Sequence, residues 1–251
     1  MLEEFNKYTT KGKFDMNKPI RNYIPVKTKD KNQWLSNQAM LVYAIVNMHS
    51  YGHNEFSKYY ITVDDVCREL YGPDGLDTKR RKNIKEGFMQ LQLCFPNIFE
   101  ATDLTYKVWQ INTSAMLYFN DNYYYCYFYN KDLETLIKNE RHHLFTICGF
   151  YFKYLSTFDL NFEVAHISIK YTSKILGMSE DTVKKHLNTL VKDENRVLMV
   201  YKRKAKKKES GGFYQNPYIH YRPTEEELVY EYLYSEKDSF IPEKHSPSSK
   251  D

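Results

Sequence analysis

The sequence predicts an α+β chain in which one arrangement occurs twice, and three observations predict it. Two separate stretches follow the order short strand, short helix, turn, second helix, hairpin. In each, the second helix sets its apolar residues at i, i+4 and i+7: Ile84, Phe88 and Leu91 in the first copy, Val183, Leu187 and Leu190 in the second. The second copy then runs into Arg196, Lys202, Arg203, Lys204, Lys206, Lys207 and Lys208 with no acid among them.

The second copy is the clearer one. Ile167 to Lys170 reads as a short strand, Tyr171 to Leu176 as a short helix, Gly177-Met178 as a tight turn, and Ser179 as the cap of the helix that carries Val183, Leu187 and Leu190. Val197 to Tyr201 and Tyr214 to Tyr221 form the hairpin, joined by the charged, glycine-ended loop Lys202 to Gly212. This is the order of a winged helix.

In the first copy, Ser36 caps a helix over Ala39 to Met48 that is apolar nearly all round and ends near Gly52. Ile61 to Val63 is strand-like, Asp64 to Leu70 helical, and Gly72-Pro73-Asp74-Gly75 a turn. Asp77 or Thr78 caps the helix carrying Ile84, Phe88 and Leu91. Ile98 to Thr102 and Thr105 to Asn112 then read as a hairpin around Asp103-Leu104. The tyrosine-rich Met116 to Tyr129 reads as a further hairpin or long edge strand, a seam between the copies.

Residues 1 to 30 are polar and basic and read as a flexible arm. The first unit is placed at 31–130. The second, at 131–223, opens with a connecting helix from Lys131 to Asn139 and a buried one from His142 to Thr157. Thr224-Glu225-Glu226-Glu227 reads as a capping box opening a helix over 224–235, and 236–251 as a disordered tail.

Charge narrows the partners. The net charge is +4, but from Glu209 onward nine acids face four bases, so residues 1–208 carry +9. A basic body of this kind releases counterions when it neutralises phosphates. Cys67, Cys94, Cys126 and Cys148 form no CxxC pair and fit small buried hydrophobes in a reducing cytoplasm. No window approaches a membrane span, and no signal-peptide core is present.

Enzymatic readings lack their residues. A rolling-circle initiator or relaxase needs a tyrosine nucleophile beside a metal held by histidines. His142-His143 and the His49 to His53 pair around Gly52 do not provide it. There is no P-loop, GxSxG or HExxH, and the expectation is no enzyme, no metal and no cofactor.

On the second copy's last helix, the side opposite the apolar stripe holds Asp181, Lys185, Asn188 and Lys192, flanked by Thr182, Lys184 and Thr189. Lys can address guanine or phosphate, and Asn can pair bidentately with adenine in a major groove. The first copy's helix offers Lys79, Arg80, Arg81, Lys82, Asn83 and Lys85, with Glu86 and Met89 on the same side. The loop bases Lys202, Arg203, Lys204, Lys206, Lys207 and Lys208 suit a minor groove or phosphate rail.

Leu35 to Ile45, Ser173 to Leu187 and Gly211 to Tyr218 resemble tandem winged-helix DNA-binding proteins of plasmids, phages and other mobile elements of low-GC bacteria, replication initiators above all. The resemblance covers most of residues 30 to 222. It implies double-stranded DNA as partner, contacted through Ser179, Thr182, Lys184, Lys185, Asn188 and the loop from Arg203 to Lys208. Host replication proteins or a second copy of the chain are further expected partners. The first copy departs from the pattern by a longer turn holding Pro73 and two glycines, so its helix is open to a dimer role. A transcriptional repressor or a transfer-origin accessory protein would use the same surface. A protein-binding module, with the acidic C-terminus and Tyr123 to Tyr129 as contact surfaces, is the reading from another class.

Overall fold

The computed structural model describes residues 21–28, 33–50, 58–116, 125–158, 164–165, 167–201, 206–207, 213–214, 218–225 and 227–229. The chain is a mixed α+β protein with small antiparallel sheets. It divides into two compact units, Met1–Ser156 and Thr157–Asp251.

The first unit is organised around helix α1 (Asn37–Ser50), in which every residue from Ala39 to Val46 is buried. Ser36 starts it by accepting the Ala39 amide at 3.1 Å. A helix with no polar face has to be covered on all sides. The cover is supplied by strand β1 (Arg21–Pro25), helix α3 (Thr78–Cys94) and helix α6 (Leu144–Leu155). Two glycines allow the close approach. A Cβ on Gly87 of α3 would lie 2.9 Å from the Gln38 backbone, and one on Gly149 of α6 would run into the Asn37 side chain.

Strand β2 (Lys58–Thr62) leads into helix α2 (Val63–Tyr71), which opens with a capping box between Thr62 and Asp65. Gly72 ends it at φ 80°, and Asp77 caps α3 by accepting the Arg80 amide at 2.8 Å. The expected apolar stripe Ile84, Phe88 and Leu91 is fully buried. Phe88 stacks on Trp109 with ring centroids 4.9 Å apart. Trp109 sits in β4 (Val108–Asn112), the middle strand of a sheet ordered β2-β4-β3, where β3 is Phe99–Ala101. One helical turn, α4 (Thr113–Met116), follows.

Of the tyrosine-rich segment, residues 117–124 lie outside the described residues, and the rest forms an edge strand, one of the two expected readings: β5 (Tyr125–Tyr129) pairs antiparallel with β1, Tyr23 opposite Tyr127. Two expectations are corrected here. Residues 21–28 are part of the fold and not of a flexible arm. Ile24 and Phe128 are fully buried, and Asn22 joins its side-chain amide to Asn130. Residues 1–20 lie outside the described residues. The second correction concerns the unit boundary, which falls after Ser156 and not after residue 130. Helices α5 (Asn130–Asn139) and α6 pack within the first unit, with Phe152 against Phe128 at 5.3 Å and the Tyr151 hydroxyl donating to Asp132 at 2.7 Å. The apolar face of α6 was legible, but the surface it meets was not.

The second unit comprises β6 (Val164–Ala165), α7 (Ile169–Leu176), α8 (Glu180–Val191), β7 (Met199–Tyr201), β8 (Lys206–Lys207), β9 (Phe213–Tyr214) and β10 (Ile219–Tyr221). Residues 167–170, read as a strand, hold the Ser168 cap and the first turn of α7 instead, and the strand is β6. Gly177, at φ 64°, ends α7 in the left-handed region. Its sheet runs β6-β10-β7, with Val164, Ile219, Tyr221 and Val229 as the core below it. In both units the strand before the helix pair lies at one edge and the last strand lies in the middle. The expected helix over 224–235 begins as a 3-10 turn at Pro223–Glu225 and is helical at 227–229. Residues 230–251, including the expected disordered tail, lie outside the described residues.

Cys67, Cys126 and Cys148 are buried and Cys94 is half-buried. Burial pushes the Cys67 thiol up to about 11, which removes it as a nucleophile at neutral pH.

Substituting Gly87→Ala should destabilise the protein by about 1–3 kcal/mol, because the new methyl meets backbone that cannot turn aside. The gain in helix propensity, about 1 kcal/mol, does not offset that clash. A lower denaturant midpoint at unchanged slope is the expected reading. A second expectation concerns His220, buried in β10, whose imidazole is pushed from 6.5 down to about 4 by burial. The unfolded chain takes up a proton that the folded chain refuses, so stability is complete above about pH 6.5 and falls as the pH drops from there towards 4. The loss approaches about 3 kcal/mol. Urea titrations of the native chain and of His220→Phe at about pH 7 and 4.5 should show a smaller acid loss in the variant.

Candidate nucleic-acid interface

Helix α8 buries Val183, His186, Leu187 and Leu190 and exposes the opposite side. Its N-cap is built from two of the expected contact residues. The Ser179 hydroxyl accepts the Thr182 amide at 3.2 Å and lies 2.8 Å from the Thr182 hydroxyl. Both side chains thus hold the helix start, and any contact they make must share those groups. Glu180 and Asp181 occupy the first turn, where carboxylates favour the helix dipole.

The exposed cations differ in how they are held. Lys184 pairs with Asp181 at 3.4 Å, Lys192 with Glu194 at 3.5 Å, and Arg196 with Asp193 at 2.9 Å. Exposed pairs of this kind contribute at most about 1 kcal/mol and give way readily to a stronger anion. Lys185 and Asn188 are exposed, and neither side chain has an ionic or hydrogen-bonding partner among the described residues. They stand one helical turn apart, so both point from the same side of α8.

Helix α7 adds residues that the sequence reading did not select. Lys170, Tyr171 and Lys174 are exposed on it, opposite the buried Thr172 and Leu176. Their spacing at i and i+4 was the available signal. Lys206 and Lys207 form β8 and pair with Tyr214 and Phe213 of β9, so the basic loop carries its own short ladder. Lys202, Arg203, Lys204 and Lys208 lie outside the described residues.

The first unit presents a different surface. Lys79 is exposed, while Lys82 pairs with Glu86 at 3.9 Å. Arg80 pairs with Asp77 at 3.0 Å and covers the Tyr71 ring at 4.3 Å. Arg81 grips Asp64 with two hydrogen bonds, at 2.7 and 3.1 Å, and so ties α3 to α2. Lys85 lies over the Tyr106 ring at 5.3 Å, and Asn83 is half-buried. Aligning the two buried stripes sets Glu86, Met89 and Leu93 where α8 has Lys185, Asn188 and Lys192. Leu93 is 84% exposed. The tip of the β3–β4 hairpin is also unlike the second unit's loop: Asp103 accepts the Thr105 amide and hydroxyl, and Leu104 beside it is 90% exposed.

Among the described residues no group of three His, Cys, Asp or Glu is placed to hold a metal, and no helix is long and apolar enough to cross a membrane. Comparison with protein-family models, curated proteins and solved structures found no match for the chain.

The Asp64–Arg81 contact carries an expectation of its own. Hydrogen bonding to Arg81 holds the Asp64 carboxyl below its ordinary 3.8. A depressed carboxyl contributes stability above the unfolded value and loses it as the pH falls through the folded one. Asp64→Asn should therefore melt below the native chain at neutral pH, with the gap closing under pH 3.8. A gap independent of pH in thermal melts would remove this account of the contact.

Proposed function

We propose that the chain is a non-catalytic, sequence-specific double-stranded DNA-binding protein built of two winged-helix units in tandem. The observation that carries the reading is the repeated strand order. β2-β4-β3 and β6-β10-β7 place an edge strand before a capped helix pair and a hairpin after it, in the manner of a winged helix. The second unit is the principal reader of sequence. Its α8 is a single exposed helix of the size a major groove admits, and Lys185 and Asn188 are its base-reading side chains. Lys184, Lys192 and the loop bases serve the phosphates, exchanging weak internal ion pairs for contacts with a polyanion.

The first unit binds with less base information, because Glu86 and Met89 replace the Lys and Asn of α8. Lys79 and Lys82, near the N-terminus of α3, are its phosphate contacts. The cellular setting, replication initiation at the origin of a plasmid or other mobile element in the cytoplasm, rests on the resemblance of Leu35 to Ile45, Ser173 to Leu187 and Gly211 to Tyr218.

Footprinting on the element's own DNA is the test, and it should give a protected site that disappears when Lys184, Lys185 and Asn188 are changed to Ala. Engaging six or so phosphates would lower affinity by roughly 10³-fold between low and moderate salt. No protected site, or protection indifferent to those three changes, would end the proposal. A flat salt dependence would favour a protein-binding module.

A further inference from the structure

We infer that α7 is a phosphate-binding helix of the second unit, on which Lys170 and Lys174 hold one backbone strand of duplex DNA. The inference rests on the duplex reading above and adds to it two contacts that neither α8 nor the basic loop supplies.

Helix α7 turns Thr172 and Leu176 into the core, which leaves Lys174 on the opposite side with Lys170 and Tyr171 flanking it. Both lysines are exposed, and the helix carries no acid. Neither lysine has an ionic or hydrogen-bonding partner among the described residues. That sets them apart from Lys184, Lys192 and Arg196, each of which already meets a carboxylate. Positions four apart on a helix are separated by about 6 Å along its axis, so the two ammonium groups face one strand together. An ammonium is a compact point charge, which suits a contact that positions the duplex without reading a base.

The fold by itself does not make this helix basic. Thr62 caps α2 as Ser168 caps α7, each accepting the amide three residues on, at 3.0 and 3.2 Å. With the caps aligned, the buried Val66 and Leu70 match the buried Thr172 and Leu176. Asp64, Asp65 and Arg68 then stand where α7 has Lys170, Tyr171 and Lys174. In the first unit that face is closed by its own ion pairs: Asp64 accepts two hydrogen bonds from Arg81, and Asp65 lies 3.3 Å from Arg68. Two carboxylates there repel a phosphate, whereas two ammonium groups attract one. Of the two short helices, only α7 carries charge of the sign that DNA requires.

The test is fluorescence anisotropy of a labelled duplex of about 30 base pairs and mixed sequence with the full chain, across a range of NaCl concentrations. Lys170→Ala/Lys174→Ala should weaken binding and make the slope of log affinity against log salt shallower by about 1.8, since each phosphate contact contributes about 0.9. Lys170→Arg/Lys174→Arg, which keeps both charges, should stay within about twofold of the native chain. Lys131→Ala/Lys138→Ala removes the same charge from the exposed side of α5 and should leave the slope unchanged. An Ala variant of α7 with the native slope overturns the inference and leaves the duplex reading standing. So does an equal flattening by the α5 variant, which would make the effect one of net charge, or an Arg variant as weak as the Ala one. A native chain that binds no duplex at low salt ends both, while the footprint with Lys184, Lys185 and Asn188 changed decides the duplex reading by itself.

Discussion

The burial of α1 on every side is the constraint from which the rest of the first unit follows. Eight consecutive residues, Ala39 to Val46, are withdrawn from water, and no single neighbour can cover a full cylinder. Helix α3 approaches through Gly87 and α6 through Gly149, both near the α1 N-terminus, and β1 closes a further side. Anchoring α3 at Gly87 orients its whole outer surface, because Ile84, Phe88 and Leu91 must then face the core. The β1–β5 ribbon packs beside α1 with Tyr23 and Tyr125 part-exposed and Tyr129 buried.

The two units share an order of elements and differ in what they offer a partner. In α8, Lys185 and Asn188 stand exposed and uncommitted among the described residues. In α3, the equivalent positions hold an acid and a methionine, and the strongest cations are already engaged, Arg81 with Asp64 and Arg80 with Asp77 and Tyr71. The hairpins diverge likewise, one with an acidic and apolar tip, the other with consecutive lysines. Two helices of the same core spacing are in this way given different electrostatic duties. The scaffold is repeated and the chemistry is not.

Much of this architecture is legible in the order of residues along the chain. The stripes at Ile84, Phe88, Leu91 and Val183, Leu187, Leu190, the caps at Ser36, Asp77 and Ser179, the turn at Gly177 and the hairpin around Asp103 all stand where periodicity and capping chemistry put them. The exposure of Lys184, Lys185, Asn188 and Lys192 follows from the same helical periodicity. Other features escape it. The strand at residues 21–25 lies in a basic stretch that composition marks as loose, and it is ordered by Tyr125 to Tyr129, about a hundred residues away. The burial of Arg222 and His220 is not legible either, since both types are ordinarily solvated and only the surrounding sheet encloses them.

The sequence by itself determined what neighbours along the chain can settle: where helices begin and end, which side of each is apolar, and where charge accumulates. These depend on residues within a turn or two of one another, so a one-dimensional pattern contains them. Tertiary structure alone decided which partner each surface meets. It paired β5 with β1, placed α6 against α1 in the first unit, engaged Arg81 with Asp64, and left Tyr23 and Tyr125 facing water. An apolar face or a guanidinium states that it needs a partner. Which partner it finds is a property of the packed chain, because many distant segments are chemically able to answer and only one arrangement buries them all.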